Sequence, residues 1–162
     1  MDAVYRRLKG VTKVVSGYTG GTTADPTYDA VLTGETGHVE AVQITFDESI
    51  IPGDVILDIF FLIHDPTTLN RQGNDIGTQY RSAMYYADDF QKKAFQAAEE
   101  RAKAHWDAPL TTELNTLDVF YPAESYHQDY FNNNPGNGYC SVVIAPKIVK
   151  ARAAYASWFT QA

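Results

Sequence analysis

Apolar positions recur along this chain with two periods, and the change of period marks its elements. Between Val39 and Phe46, VEAVQITF, they alternate and place Val42, Ile44 and Phe46 on one face of a strand. Val11–Tyr18 carries Val11 and Val15 on one face and Val14 and Tyr18 on the other, as in a strand covered on both sides. From Pro52 to Ile63 the spacing turns helical, with proline in the first turn and Val55, Ile56, Ile59, Phe60 and Ile63 facing inward. A second helix is predicted from a cap at Asp88 or Asp89 to about Ala104, with Phe90, Ala94, Phe95 and Ala98 inward. Asp2–Leu8 reads as the rear of a helix ended by Gly10, and Pro146–Phe159 as an amphipathic helix presenting Ile148, Ala151, Tyr155 and Trp158. Further strands are expected at Tyr80–Tyr86 and at Thr111–Tyr121, the latter with Leu117 and Val119 on one face. Short helices are expected at Asp29–Leu32 and Pro122–Phe131, with turn chemistry in Asn132–Gly138. Strands and helices mix without strict alternation, which predicts an α+β sandwich: one sheet with helices packed on it.

One stretch has almost no aliphatic content. His64–Tyr80, HDPTTLNRQGNDIGTQY, crowds Asn70, Arg71, Gln72, Asn74, Asp75, Gln79 and Tyr80 around Gly73 and Gly77. A polar loop of this length either folds over a polar group of a ligand or satisfies its own backbone.

Composition narrows the partners. The 162 residues predict a single domain large enough for a real core, and 44% apolar and 13% aromatic content is globular. The net charge of −7, without a Lys/Arg stripe, argues against nucleic acid and anionic membranes. Residues MDAVYRRLKG lack the apolar core of a signal peptide, and the longest apolar run, Ile59–Ile63, is too short to span a bilayer. Cys140 is the single cysteine, so no intramolecular disulfide forms and a cytoplasmic location is expected.

Three kinds of chemistry can be set against these residues. His38 and Glu40 share a strand face, and His64–Asp65 or His127–Asp129 could join them on a metal, but no zinc spacing occurs and no metal or cofactor is expected. A hydrolase triad using Cys140 or a serine with His127 lacks any nucleophile elbow. The third is recognition of a sulfoxide or carbonyl oxygen by a carboxylic acid held protonated between phenols. Glu40 stands in register with the apolar face of its strand, so it is either a solvated residue beyond the core's edge or a carboxyl with a raised pKa. Tyr28 and Tyr80 would complete such a site if the fold converges them.

Read together, the motifs carry a resemblance. GYTGG at Gly17–Gly21, PTY at Pro26–Tyr28, TGHVEAV at Thr36–Val42 and HDPTTLNRQGNDIGTQYRSA at His64–Ala83 resemble the peptide methionine sulfoxide reductase A family, as do FYPAESYHQDYF at Phe120–Phe131 and NPGNGYC at Asn134–Cys140. The resemblance covers nearly the whole chain in order. It implies a ferredoxin-like two-layer α+β sandwich with a mixed sheet, and reduction of the S epimer of methionine sulfoxide, free or in proteins, as repair of oxidative damage. It implies the family's acid at Glu40, its two oxygen-binding phenols at Tyr28 and Tyr80, the aspartate near the site at Asp75, and a resolving cysteine at Cys140. Thioredoxin is the implied reductant.

One departure bears on activity. The family's nucleophilic cysteine lies in a GCFW motif before its first helix, and Asp2-Ala3-Val4-Tyr5 resembles the helix that follows that motif. The nucleophile would therefore precede Met1, together with the family's first strand, and the expectation for the chain as given is an inactive one. The alternative expectation is a non-catalytic module that binds methionine sulfoxide or is completed by a partner.

Overall fold

A computed structural model describes residues 1–161. In chain order the elements are α1 (Asp2–Tyr5), β1 (Val11–Thr19), α2 (Tyr28–Leu32), β2 (Val39–Phe46), α3 (Gly53–Ile63), the two-residue strands β3 (Arg71–Gln72) and β4 (Asp75–Ile76), β5 (Ala83–Tyr86), α4 (Asp89–Lys103), β6 (Glu113–Thr116), β7 (Phe120–Pro122), α5 (Tyr130–Asn133) and α6 (Ala145–Ala154). The class is α+β, as the mixed pattern predicts. β1 is the middle strand of an antiparallel sheet in the order β2-β1-β7, and β5 pairs in parallel with β6 through the crossover helix α4.

The main core lies between this antiparallel sheet and α1, α3 and α6. Tyr5, Leu8, Val14, Ile51, Ile59 and Ala151 are buried there, with the half-buried Val42, Ile44 and Phe46 of β2 packed against them. A smaller cluster of Phe61, Met84, Ala98 and Ala102 joins α3, α4 and β5. The buried Tyr5 phenol is satisfied by donating to the Ile56 carbonyl at 2.8 Å.

The second edge of β1 is closed partly by side chains. Backbone pairing with β7 runs only from Gly17 to Thr19. Beyond it, the Gln128 amide takes over: Ser16 N–H donates to Gln128 Oε1 at 2.9 Å, and Gln128 Nε2 donates to the Ser16 carbonyl at 2.8 Å. Further along, Arg6 donates to the Val14 carbonyl at 2.7 Å while its Nε bonds Asp2 at 2.7 Å. Donors and acceptors that would otherwise stand open on a strand edge are thus paired.

Several expectations are corrected. Thr111–Tyr121 is not one strand: β6 ends against β5, Leu117 N–H closes that pairing on the Tyr86 carbonyl, and β7 crosses to the other sheet. Val119, between the two, is 46% exposed. Tyr80 belongs to a 3-10 turn, Thr78–Tyr80, and the strand begins at Ala83. Phe90 faces solvent at 76% exposure, because α4 meets its neighbours through Phe95, Ala98 and Ala102 one to three turns later. In α3 it is Phe61 that is buried, while Val55 and Phe60 are half-buried. Pro122–Phe131 splits into a 3-10 turn at Ser125–His127 and the one-turn α5, with Gln128 extended and Asp129 left-handed at φ 50° between them. The C-terminal helix runs Ala145–Ala154, preceded by a π-helical turn at Cys140–Ile144.

The chain leaves α3 through His64, which anchors the long polar loop. His64 Nδ1 bonds the Phe60 carbonyl, so Nε2 accepts from the Ser82 hydroxyl at 2.7 Å, and Thr112 bonds Ser82 at 2.8 Å. Burial lowers the imidazole to about 4, outweighing the favourable Phe60 bond. The folded state therefore holds His64 neutral while the unfolded chain takes up a proton near 6.5. Its contribution to stability is intact above pH 6.5 and is lost as pH falls towards 4, a total of about 3 kcal/mol. Urea midpoints at pH 7 and pH 4.5 should show this loss in the natural chain, and His64→Asn, though less stable at pH 7, should lose less on acidification. Equal acid sensitivity of the two chains would count against a neutral buried His64.

Candidate active site

The polar loop is largely self-satisfied, and the rest of it is presented to the site. Gln72 behaves as a surrogate strand, accepting from Asp65 N–H at 3.0 Å and donating to the Asp65 carbonyl at 2.6 Å. Arg71 donates to the Gly73 carbonyl at 2.6 Å, and Gly77 N–H to the Asn70 carbonyl at 2.9 Å. These bonds shape the β3–β4 hairpin that carries Asp75. The 3-10 turn that follows is tied to the α2 end and to the approach to β2. Gln79 donates to the Leu32 carbonyl and Thr78 to Gly34, each at 3.3 Å, while Arg81 reaches both the Thr78 and Gly37 carbonyls at 2.9 Å. Tyr80 is thereby held beside the segments that bear Tyr28 and Glu40.

His38 fixes the entry to β2. It is buried, its Nδ1 accepts from Gly21 N–H at 3.0 Å, and its Nε2–H donates to the Thr23 carbonyl at 2.7 Å. Both ring nitrogens are thus committed to the GGTTAD loop. Among the described residues no three His, Cys, Asp or Glu side chains are grouped to hold a metal ion.

Glu40 follows on β2, with Tyr18 of β1 as its cross-strand partner. Its side chain reaches solvent, yet the surrounding protein strips enough water from the carboxyl to raise it to about 7, and the negative charge of Asp75 adds to the shift. Tyr28 and Tyr80 are half-buried, and both phenols are raised first by desolvation and then by the charges of Glu40 and Asp75. Glu40, Tyr28 and Tyr80, the constellation expected from the sequence, and Asp75, which the resemblance adds, therefore lie within electrostatic reach of one another. Cys140 is buried at the head of the π-helical turn, and its neighbour Tyr139 donates to Asp75 at 3.3 Å. Burial, then Asp75, pushes Tyr139 up to about 12.

Sequence reasoning missed Tyr139, Tyr18 and Lys147 at this site. Tyr18 is buried, opposite Glu40 on the neighbouring strand, and its phenol is raised, chiefly by burial and by its bond to Glu124. Lys147, half-buried on α6, is lowered by desolvation and held up in part by Asp75. Tyr18 and Tyr139 sit inside the GYTGG and GYC motifs, so the signal was present without an assignment. Clefts of about 490 and 500 Å³ lie elsewhere, one at Trp106–Leu110 and one around Asp58, Arg101 and Tyr155, and no residue of the site lines either.

The sequence matches the family model of peptide methionine sulfoxide reductases over residues 1–158. A protein of Clavibacter michiganensis named peptide methionine sulfoxide reductase MsrA is 56% identical over 158 residues, covering 98% of this chain and 90% of that one. The enzyme of the same name from Acinetobacter baumannii is 49% identical over 155 residues, 96% of this chain and 89% of its own. Among solved structures, reduced Mxr1 of Saccharomyces cerevisiae aligns with a TM-score of 0.76 at 33% identity, over 81% of this chain and 76% of Mxr1. Methionine sulfoxide reductase A of Corynebacterium diphtheriae aligns at 0.73 and 36%, over 79% of this chain and 66% of its own. Mxr1 in complex with Trx2 shares the fold, at 22% identity and a TM-score of 0.50. The chain belongs to the peptide methionine sulfoxide reductase family of oxidoreductases.

Proposed function

We propose that the cluster around Glu40 is the oxygen-binding side of a peptide-methionine (S)-S-oxide reductase site. The observation that carries this reading is the Glu40 carboxyl, raised to about 7 between two un-ionised phenols. At neutral pH a large share of it holds a proton, which it can give to a sulfoxide oxygen as the S–O bond breaks. Tyr28 and Tyr80 donate hydrogen bonds to the same oxygen, and desolvation first, with the charge of Asp75 adding to it, favours the protonated form of Glu40. The attacking thiol gains the oxygen and becomes a sulfenic acid, and the substrate leaves as the thioether. A second thiol then condenses with the sulfenic acid to give a disulfide and water, and a dithiol reductant returns both thiols. Thioredoxin, the class of protein bound to Mxr1 in the complex, is the reductant proposed for this chain.

Cys140 takes the role of the second, resolving thiol. It is buried and is the single cysteine of the 162 residues, and in this reading the attacking thiol is a second one supplied to the site. The 162-residue chain alone is accordingly expected to show no dithiothreitol-dependent reduction of methionine sulfoxide. Turnover that vanishes in Cys140→Ser would instead make Cys140 the nucleophile.

A further inference from the structure

The AESYHQ segment contains a carboxylate that the oxygen-binding cluster does not use. Glu124 spans two elements of the site. Its Oε1 accepts from the Tyr18 hydroxyl at 3.0 Å, and its Oε2 accepts from the Tyr28 backbone N–H at 3.0 Å and the Tyr126 hydroxyl at 3.2 Å. Tyr28 is the first residue of α2, where backbone N–H groups have no partner within the helix. The preceding cap, Thr27, accepts from Ala30 N–H at 3.1 Å and leaves the Tyr28 N–H to Glu124. Tyr18 faces Glu40 across the β1–β2 pair, so one carboxylate links the strand beside the acid to the residue that carries a phenol. The same segment packs the His127 ring against the Tyr28 ring, with centroids 4.3 Å apart, and the Tyr126 ring backs His127 at 4.2 Å.

We propose that Glu124 is a positioning residue for Tyr28, fixing the start of α2 to β1 so that the Tyr28 phenol is held opposite Glu40. The carboxylate suits this role better than an amide would, because both oxygens accept and three donors converge on them. Burial acts to raise Glu124, but the bonds from the Tyr28 amide, Tyr18 and Tyr126 prevail, and its pKa is lowered. It is therefore an anion at the pH where Glu40 is half protonated. The proposal rests on the sulfoxide reading of the site, and it deepens that reading by naming what orients one of the two phenols.

A double-mutant cycle tests it. The affinity of the chain for N-acetyl-methionine-(S)-sulfoxide methylamide is measured by NMR, with tyrosine rings labelled in carbon-13, well below the unfolding temperature. Glu124→Gln keeps the side-chain shape but offers one acceptor oxygen for three donors. It should weaken binding by about tenfold, the scale of one or two lost bonds to a carboxylate. Tyr28→Phe should weaken binding similarly, and the double variant should be no weaker than the worse single one. Effects that multiply to about a hundredfold, or Glu124→Gln binding within about twofold of the natural chain, would overturn the proposal. Should Glu124→Gln not fold, Tyr18→Phe cuts the strut to β1, and its effect must likewise vanish in the Tyr28→Phe background. If the natural chain binds no sulfoxide, the sulfoxide reading itself fails. The positioning role is then judged on the Tyr28 ring resonance, which a supporting result moves in Glu124→Gln and an overturning one leaves in place.

Discussion

Glu40→Gln, in a chain supplied with an attacking thiol through a GCFW segment before Met1, is expected to lower kcat/KM for methionine sulfoxide by about 10²–10⁴-fold, the span of a lost general acid. Glutamine keeps the length and one acceptor of the side chain but has no proton to give the departing oxygen. The size of the effect follows from the environment of the carboxyl, which burial and Asp75 raise to about 7. The acid role proposed for Glu40 requires its protonated form, so the parent rate should fall as pH rises through about 7. The residual rate of Glu40→Gln should not show that fall. Steady-state kinetics from pH 6 to 8.5 would read both features, and near-full activity of the glutamine variant would remove Glu40 from the acid role.

Gly21→Ala is expected to cost a large share of the protein's stability. A Cβ on Gly21 would lie 2.3 Å from the His38 nitrogen and 2.3 Å from the Thr36 carbonyl oxygen, both backbone atoms. Neither can step aside as a flexible side chain would, so the GGTTAD loop must lift from the Thr36–His38 turn. The Gly21–His38 hydrogen bond goes with it. Overpacking of this kind costs about 1–3 kcal/mol and more where backbone must move. Gly136→Ala is the control, since nothing lies within 4 Å of its Cβ and its cost should stay within about 0.5 kcal/mol. Urea midpoints of the two variants should therefore differ widely. Sulfoxide affinity should also fall in Gly21→Ala, because Glu40 leaves the same turn two residues later.

Elements whose two faces differ in polarity over their whole length could be read directly. β2 lies at Val39–Phe46 as the alternation predicts, and α4 starts from the Asp88 cap. Reading failed where one run of residues serves two neighbours. Thr111–Tyr121 reads as a single strand with Leu117 and Val119 on one face, but its first part belongs to the β5 sheet and its last to β1, and the switch is a tertiary choice that local periodicity cannot encode. Pro122–Phe131 has helical composition, yet Gln128 is drawn into extended backbone by its bonds to Ser16, and Asp129 turns left-handed to restart the chain. The site divides in the same way. Glu40 stood out because a carboxylate in register with an apolar face asks for a reason. Tyr28 and Tyr80 complete the site only if the fold converges them, Asp75 rests on motif resemblance, and the Arg81, Thr78 and Gln79 bonds tie the turn that bears Tyr80 to the segments of Tyr28 and Glu40. Glu124 gave no local sign, for its partners Tyr18 and Tyr28 are 106 and 96 residues away.

The side-chain closure of β1 sets an order of assembly. During synthesis β1 emerges early and finds β2 soon afterwards, whereas its other edge waits for Gln128, 112 residues beyond Ser16. The bridge of Leu8 to Phe159 waits longer still. Contacts of such separation form slowly, because the loop they close is nearly the whole chain. A β1–β2 hairpin whose β1 edge is still bare is the species a nascent chain presents in the meantime, and such edges recruit other strands. The clasp that steadies the finished protein thus also ends the exposure of the β1 edge.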